Sequence, residues 1–113
     1  MDIQKKHWLK YGIFLLLLAC VILLHTTAWL LLTALIILSI AMLAVDRFRY
    51  IKTYCAIAIF GTGAEMVIIS ISGAWTYALP VLFGVPVWTF PMWGIAGLCF
   101  ITLADVFREN KVE

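Results

Sequence analysis

At 113 residues, 65% hydrophobic and 12% charged, with a mean hydropathy of +1.10, the chain is far too apolar for a soluble domain of its length, which is roughly half apolar and a quarter charged. The formal net charge of +2 is small, and the few basic residues are mixed with acids at segment edges, which excludes a nucleic-acid partner gripped by a basic face. Four helices of about 20 residues with short connections nearly use up the length, so the expectation is one transmembrane domain over residues 1–113.

Nearly all the charges fall at three places. Lys5, Lys6 and Lys10 precede the first apolar run; Asp46, Arg47, Arg49 and Lys52 separate the second from the third; Asp105, Arg108, Glu109, Lys111 and Glu113 close the chain. The connections around 25–27 and 73–90 carry no Lys or Arg. By the positive-inside rule the N-terminus, the middle loop and the C-terminus are cytoplasmic and the other two connections face outward. The fold class expected is therefore all-α: an integral four-helix membrane bundle, multi-pass in a bacterial-type inner (plasma) membrane. A cleavable signal peptide ending near Thr26-Thr27-Ala28 is set aside, because the apolar run 11–24 with its Trp8-Leu9 lead-in is long for such a segment and more membrane follows at once.

In chain order, helix one is expected over 8–24, with Trp8 and Tyr11 as interfacial anchors and His7 a solvated neighbour of the lysines. Residues 25–27 form a tight turn in which Thr27 caps helix two and His25 is the polar tip, with a pH-sensing role as the alternative. Helix two is expected over 28–45, anchored by Trp29, and the following hairpin pairs Asp46 with a neighbouring Arg. Helix three, 53–72, differs in kind. Ala58, Gly61, Thr62, Glu65 and Ser72 give it a small and polar face, while Ile57, Phe60, Val67 and Ile71 are bulky and suit lipid or core.

The stretch 73–90 is broken by Gly73, Pro80, Gly84 and Pro86, yet is too apolar to be a free aqueous loop. It must lie on the outer face of the bundle or dip into it, because non-helical backbone at membrane depth needs protein or water to satisfy it. Trp75, Tyr77 and Trp88 then form an interfacial belt, the commoner outcome, or a lid over Glu65. Helix four is expected over 91–107, opening on Pro91, with Gly94 and Gly97 allowing close approach to helix three at Glu65 and Asp105 pairing with Arg108. Cys20, Cys55 and Cys99 fall on three different helices without C-x-x-C spacing, so they read as buried small hydrophobes rather than a metal or disulfide set. No metal and no cofactor is expected.

Glu65 is the default functional residue, since an ionisable side chain within an apolar span is costly and normally faces a partner or a cavity. Counting ~1.5 Å per residue from Thr53 puts it roughly 18 Å into a ~30 Å hydrocarbon core, too deep to snorkel easily. The same ruler brings Thr33 of helix two to that level and no cation. Glu65, Trp75, Tyr77, Trp88, Trp93 and Thr33 are the candidate binding residues, and Glu65 alone is a candidate for catalysis.

The run Gly73-Ala74-Trp75-Thr76-Tyr77, eight residues after the acid and followed by Gly84-Val85-Pro86-Val87-Trp88 and Trp93-Gly94, resembles a layout found in small bacterial multi-pass membrane proteins. More distantly it resembles the membrane domains of lycopene cyclases and carotenoid hydratases, and Asp46-Arg47-Phe48-Arg49 is similar to the Asp-Arg run that ends a helix in the cyclase domain. The Pro-Glu-Glu run associated with cyclase chemistry is absent; Pro86 and Pro91 are followed by Val and Met. The resemblance implies Glu65 as proton donor to an isoprenoid double bond, with Trp75 and Tyr77 stabilising cationic character.

Three functions follow as expectations. The first is a non-enzymatic membrane protein whose helix three and four face around Glu65 binds a partner subunit or a membrane lipid. The second is an isoprenoid or carotenoid-type lipid-modifying enzyme with Glu65 as general acid. The third is a homodimeric proton-coupled small transporter in which Glu65 exchanges a proton for a cation.

Overall fold

The computed structural model describes residues 2–77 and 83–112, so Pro80 and Glu113 lie outside the described residues. Four helices account for nearly all of it: α1 (Ile3–Leu24), α2 (Ala28–Val45), α3 (Ile51–Ser72) and α4 (Thr89–Val112). Each is long and apolar enough to cross a membrane. Large apolar side chains such as Leu23, Phe60 and Ile71, each more than 75% exposed, cover the outside of the bundle. A water-facing surface of this kind would associate, so these side chains mark a multi-pass membrane protein.

Three helix ends differ from expectation, each for a local reason. α1 begins at Ile3 rather than near Trp8, because the Asp2 side chain accepts a bond from the Gln4 amide at 2.8 Å and Lys5 and Lys6 favour helix. α3 begins two residues before Thr53, directly out of the tight turn. α4 begins at Thr89, where the Thr89 hydroxyl donates to the Pro86 carbonyl at 2.8 Å. Pro91 then falls inside the first turn, where its missing N–H has no helical partner to lose. α2 has the expected bounds, but Thr27 does not cap it with its side chain: its hydroxyl donates to the Leu24 carbonyl, closing α1 instead.

α4 is the central element. It packs along α3 and also touches α1 and α2, while α1 lies on α2. Ile13 and Leu17 of α1, Leu31, Leu35 and Met42 of α2, and Ile95, Leu98 and Cys99 of α4 form one buried apolar cluster. α3 joins α4 by its small and polar face, as its spacing requires. Ala58, Thr62 and Glu65 are buried there, while Phe60, Val67 and Ile71 point outward; Ser72, expected on the same face, is instead exposed, its hydroxyl donating to the Ile68 carbonyl. Lipid chains are as apolar as leucine, so this joint rests on close packing and hydrogen bonds rather than on exclusion of water. Glycine makes it possible: a Cβ on Gly61 would stand 2.5 Å from the Trp93 ring. Gly94 and Gly97 also meet α3, but at Tyr54 and Ile57 rather than at Glu65.

α2 and α3 are linked by a buried polar contact, Ser39 Oγ to the Tyr54 hydroxyl at 2.5 Å, with Ser39 also donating to the Leu35 carbonyl at 2.7 Å. The turn between them places Arg47 and Phe48 both at positive φ, 55° and 62°. Asp46 is paired not with a neighbouring Arg but with Lys10 and Lys6 of α1. Asp105 does pair with Arg108, one turn on. Cys99 is buried and Cys20 half-buried, whereas Cys55 is exposed on the apolar outside of α3; all three are free thiols.

Candidate functional site

Seven residues before its end, α3 carries Glu65 on the face turned to α4, and the side chain is 7% exposed. A carboxyl placed there needs donors, and the fold supplies one for each oxygen. The indole Nε1 of Trp93, in the second turn of α4, donates to Oε1 at 2.8 Å. The Tyr77 hydroxyl, from the segment between the helices, donates to Oε2 at 2.5 Å. Among the described residues no Lys, Arg or His lies within ion-pair distance of this carboxyl. Glu65 is thus held by two neutral donors from two different elements, and it fastens the connecting segment to the α3–α4 joint.

At Tyr77 and from Gly84 onward that segment enters the bundle. α3 stops at Gly73, whose φ of 61° ends the helix in the left-handed region and whose amide donates to the Ile69 carbonyl. Gly84, at φ 85°, passes so close to α3 that a Cβ would lie 2.7 Å from Ile69. Val85, Pro86 and Trp88 are then buried. Trp88 is 3% exposed and meets Tyr77 edge to face, with centroids 5.6 Å apart and planes at 90°. An all-interfacial belt is therefore not what these aromatics make: Tyr77 and Trp88 fold inward, and only Trp75, 39% exposed, stays at the outside.

Beside Tyr77 and Trp88 opens a cavity of about 440 Å³. Val21, Ile22 and His25 at the end of α1 form one side, and Tyr77, Pro86 and Trp88 form the other. Its size falls in the range of about 300–1,000 Å³ typical of small-molecule sites, and its walls are mostly apolar. Tyr77 belongs to both features: it lines the cavity and reaches the carboxyl. Burial first, and then the Glu65 carboxyl beside it, push the Tyr77 hydroxyl well above its ordinary value, which keeps the proton on the oxygen that donates to Glu65. The indole N–H of Trp88 is buried without a partner among the described residues, as is the Thr62 hydroxyl one turn before Glu65.

Of the residues singled out from the sequence, Glu65, Tyr77 and Trp93 are brought into one hydrogen-bonded group, and Trp88 packs on it. Thr33 is not part of the group, and Trp75 borders it from the outside, its side chain next to the Tyr77 hydroxyl. The Thr33 hydroxyl donates to the Trp29 carbonyl of its own helix at 2.9 Å, on an exposed face of α2. Val21, Ile22, Thr76 and Pro86 line the cavity without any mark in the sequence, and His25, a hairpin tip or pH sensor by its sequence, lines it too. Apolar residues at the end of a span carry no local mark that a later segment will fold over them. Among the described residues no three His, Cys, Asp or Glu side chains come together as a metal centre. No model of a known protein family, no curated protein and no solved structure matches the chain.

Proposed function

We propose that this is a small multi-pass inner-membrane protein, with both termini on the cytoplasmic side, that binds a lipid-like apolar molecule in the cavity between the end of α1 and the segment carrying Tyr77 and Trp88. The observation that carries the reading is the position of Tyr77, whose ring lines the cavity while its hydroxyl is held by Glu65. Glu65 acts as an internal clasp that shapes the wall. A partner subunit docked on the α3–α4 face is the weaker half of the expectation, because both carboxyl oxygens are already taken by the chain's own donors and α3 and α4 cover that face for each other. The membrane and orientation assignments rest on the Lys and Arg residues gathered at the chain ends and the 46–52 connection.

The test is saturable quenching of tryptophan fluorescence by a brominated single-chain fatty acid in micelles of the purified protein. Binding should disappear in Val21→Trp, which fills the cavity mouth without touching Glu65. Equal quenching in that variant would remove the reading.

A second reading is favoured by the same contact. Tyr77 lines the apolar cavity and its hydroxyl bonds the carboxyl, so in the lipid-modifying enzyme expected from the resemblance the Tyr77 hydroxyl turns to give its proton to a double bond of a bound isoprenoid, a protonated Glu65 replaces that proton, and the carbocation is discharged when a neighbouring carbon returns a proton along the same pair. Incubation with polyene lipids, with product formation that depends on both Glu65 and Tyr77, tests it. The homodimeric transporter has no observation of its own here.

A further inference from the structure

The opposite end of the bundle holds a second cavity, of about 220 Å³, where α1, the 46–50 turn and α4 meet. Lys6, His7 and Lys10 of α1 line it together with Asp46, Arg49 and Tyr50 of the turn. Lys10 is 8% exposed, an unusual position for an ammonium, and it forms an ion pair with Asp46 Oδ2. Lys6 stands 3.9 Å from the other carboxylate oxygen. Lys10 and Arg49 both lie against the Tyr50 ring, at 5.4 and 5.7 Å from its centroid. The lining thus holds three cations against two carboxylates, and one of these, Asp105, is already paired with Arg108. Lys10 and Asp46 neutralise each other as a fixed floor. At the rim Arg49 has no ion pair among the described residues, and Lys6, one-third exposed, is held only at 3.9 Å by the Asp46 oxygen that Lys10 does not take, so both can turn to an anion.

We propose that this cavity binds a phosphate-bearing anion, with Lys6 and Arg49 contacting the phosphate oxygens and Lys10 fixing the site from below. Basic pockets between helices at a membrane edge select anionic head groups by this chemistry, and Arg presents a planar fork that matches phosphate. Leu98 and Ile101 of α4 continue the wall with apolar surface. A lipid phosphodiester uses both parts of the wall, and free phosphate uses only the charged one. This site is separate from the Tyr77 cavity and does not depend on it.

The experiment titrates the full-length protein in neutral-detergent micelles with short-chain phosphatidylglycerol, with phosphatidylcholine of the same chains, and with inorganic phosphate. The expected result is tighter binding of phosphatidylglycerol than of phosphatidylcholine, reduced roughly thirtyfold by the double variant Lys6→Gln/Arg49→Gln, since each cation near a membrane surface contributes about a fivefold factor. The charge-keeping variant Lys6→Arg/Arg49→Lys should retain affinity within a few-fold, which separates lost contacts from lost folding. The double variant Lys5→Gln/Lys52→Gln, removing equal charge outside the cavity, should bind as the parent does. Inorganic phosphate binding comparably, with the same dependence on Lys6 and Arg49, would support the site and name a soluble anion as its source. Equal losses in the two glutamine double variants, or no preference for phosphatidylglycerol, would overturn it.

Discussion

Replacing Tyr77 by Phe removes one oxygen and nothing else from the hydrogen-bonded group at Glu65. The ring keeps its edge-to-face contact with Trp88 and its place in the cavity wall, so the loss is confined to the 2.5 Å bond to Oε2. Removing one partner so that a buried acceptor is left without its donor costs about 1–3 kcal/mol. Glu65 is 7% exposed, so water does not readily replace the missing hydroxyl. Equilibrium unfolding in mixed dodecyl maltoside and SDS micelles, followed by far-ultraviolet circular dichroism, should therefore show a loss of about 1–3 kcal/mol, a factor of roughly five to 150 in the folding equilibrium. A Tyr77→Phe protein within about 0.3 kcal/mol of the parent would show that the bond holds nothing together, because that is less than even a weak neutral hydrogen bond provides.

Glu65→Leu leaves the Tyr77 hydroxyl and the Trp93 indole N–H both buried without an acceptor and should cost about 2–5 kcal/mol in the same assay. Glu65→Gln should cost about 1 kcal/mol or less, because its carbonyl accepts from Trp93 while its amide donates to the Tyr77 oxygen. Gly61→Ala pushes a methyl group into the Trp93 ring and should destabilise by about 1–3 kcal/mol; at the same time indole fluorescence should shift as the bond to Glu65 lengthens. Raising the pH gives a signed test. The Tyr77 hydroxyl is raised in the fold above its ordinary 10.0, so its contribution is fully present below pH 10 and is lost as pH rises through the folded value. The stability gap between the parent and Tyr77→Phe should accordingly narrow above pH 10 and stay constant between pH 7 and 9, as read from paired unfolding curves.

The four spans were legible because their apolar runs are long and nearly all the charges fall in three clusters. The inward face of α3 was legible too, since a lone acid aligned with Ala58, Gly61 and Thr62 has one inexpensive direction to point. Helix ends were less so. Asp2 and Thr89 act through bonds to Gln4 and Pro86 that compete weakly with the hydropathy signal. Asp46 shows the limit most clearly: adjacent Arg47 and Arg49 suggested a local pair, but α1 packs on α2 and brings Lys10, 36 positions earlier in the chain, to its carboxylate, while the chain turns away through two left-handed residues. The depth ruler failed for Thr33 because depth along a helix says nothing about which side of the helix a residue occupies. The same holds for the cavity walls, where Val21 and Pro86 come from distant parts of the chain.

Photolabelling tests the proposed ligand site most directly. The parent protein in nanodiscs is irradiated with a diazirine-tagged single-chain fatty acid, with and without an excess of the untagged acid, and the adducts are mapped by mass spectrometry. Competable adducts should concentrate on Val21, Ile22, Tyr77 and Trp88, while those on the outward-facing Ile36 and Ile37 should persist under competition. Adducts spread over all lipid-facing helices with no competable set at the cavity would contradict the proposal.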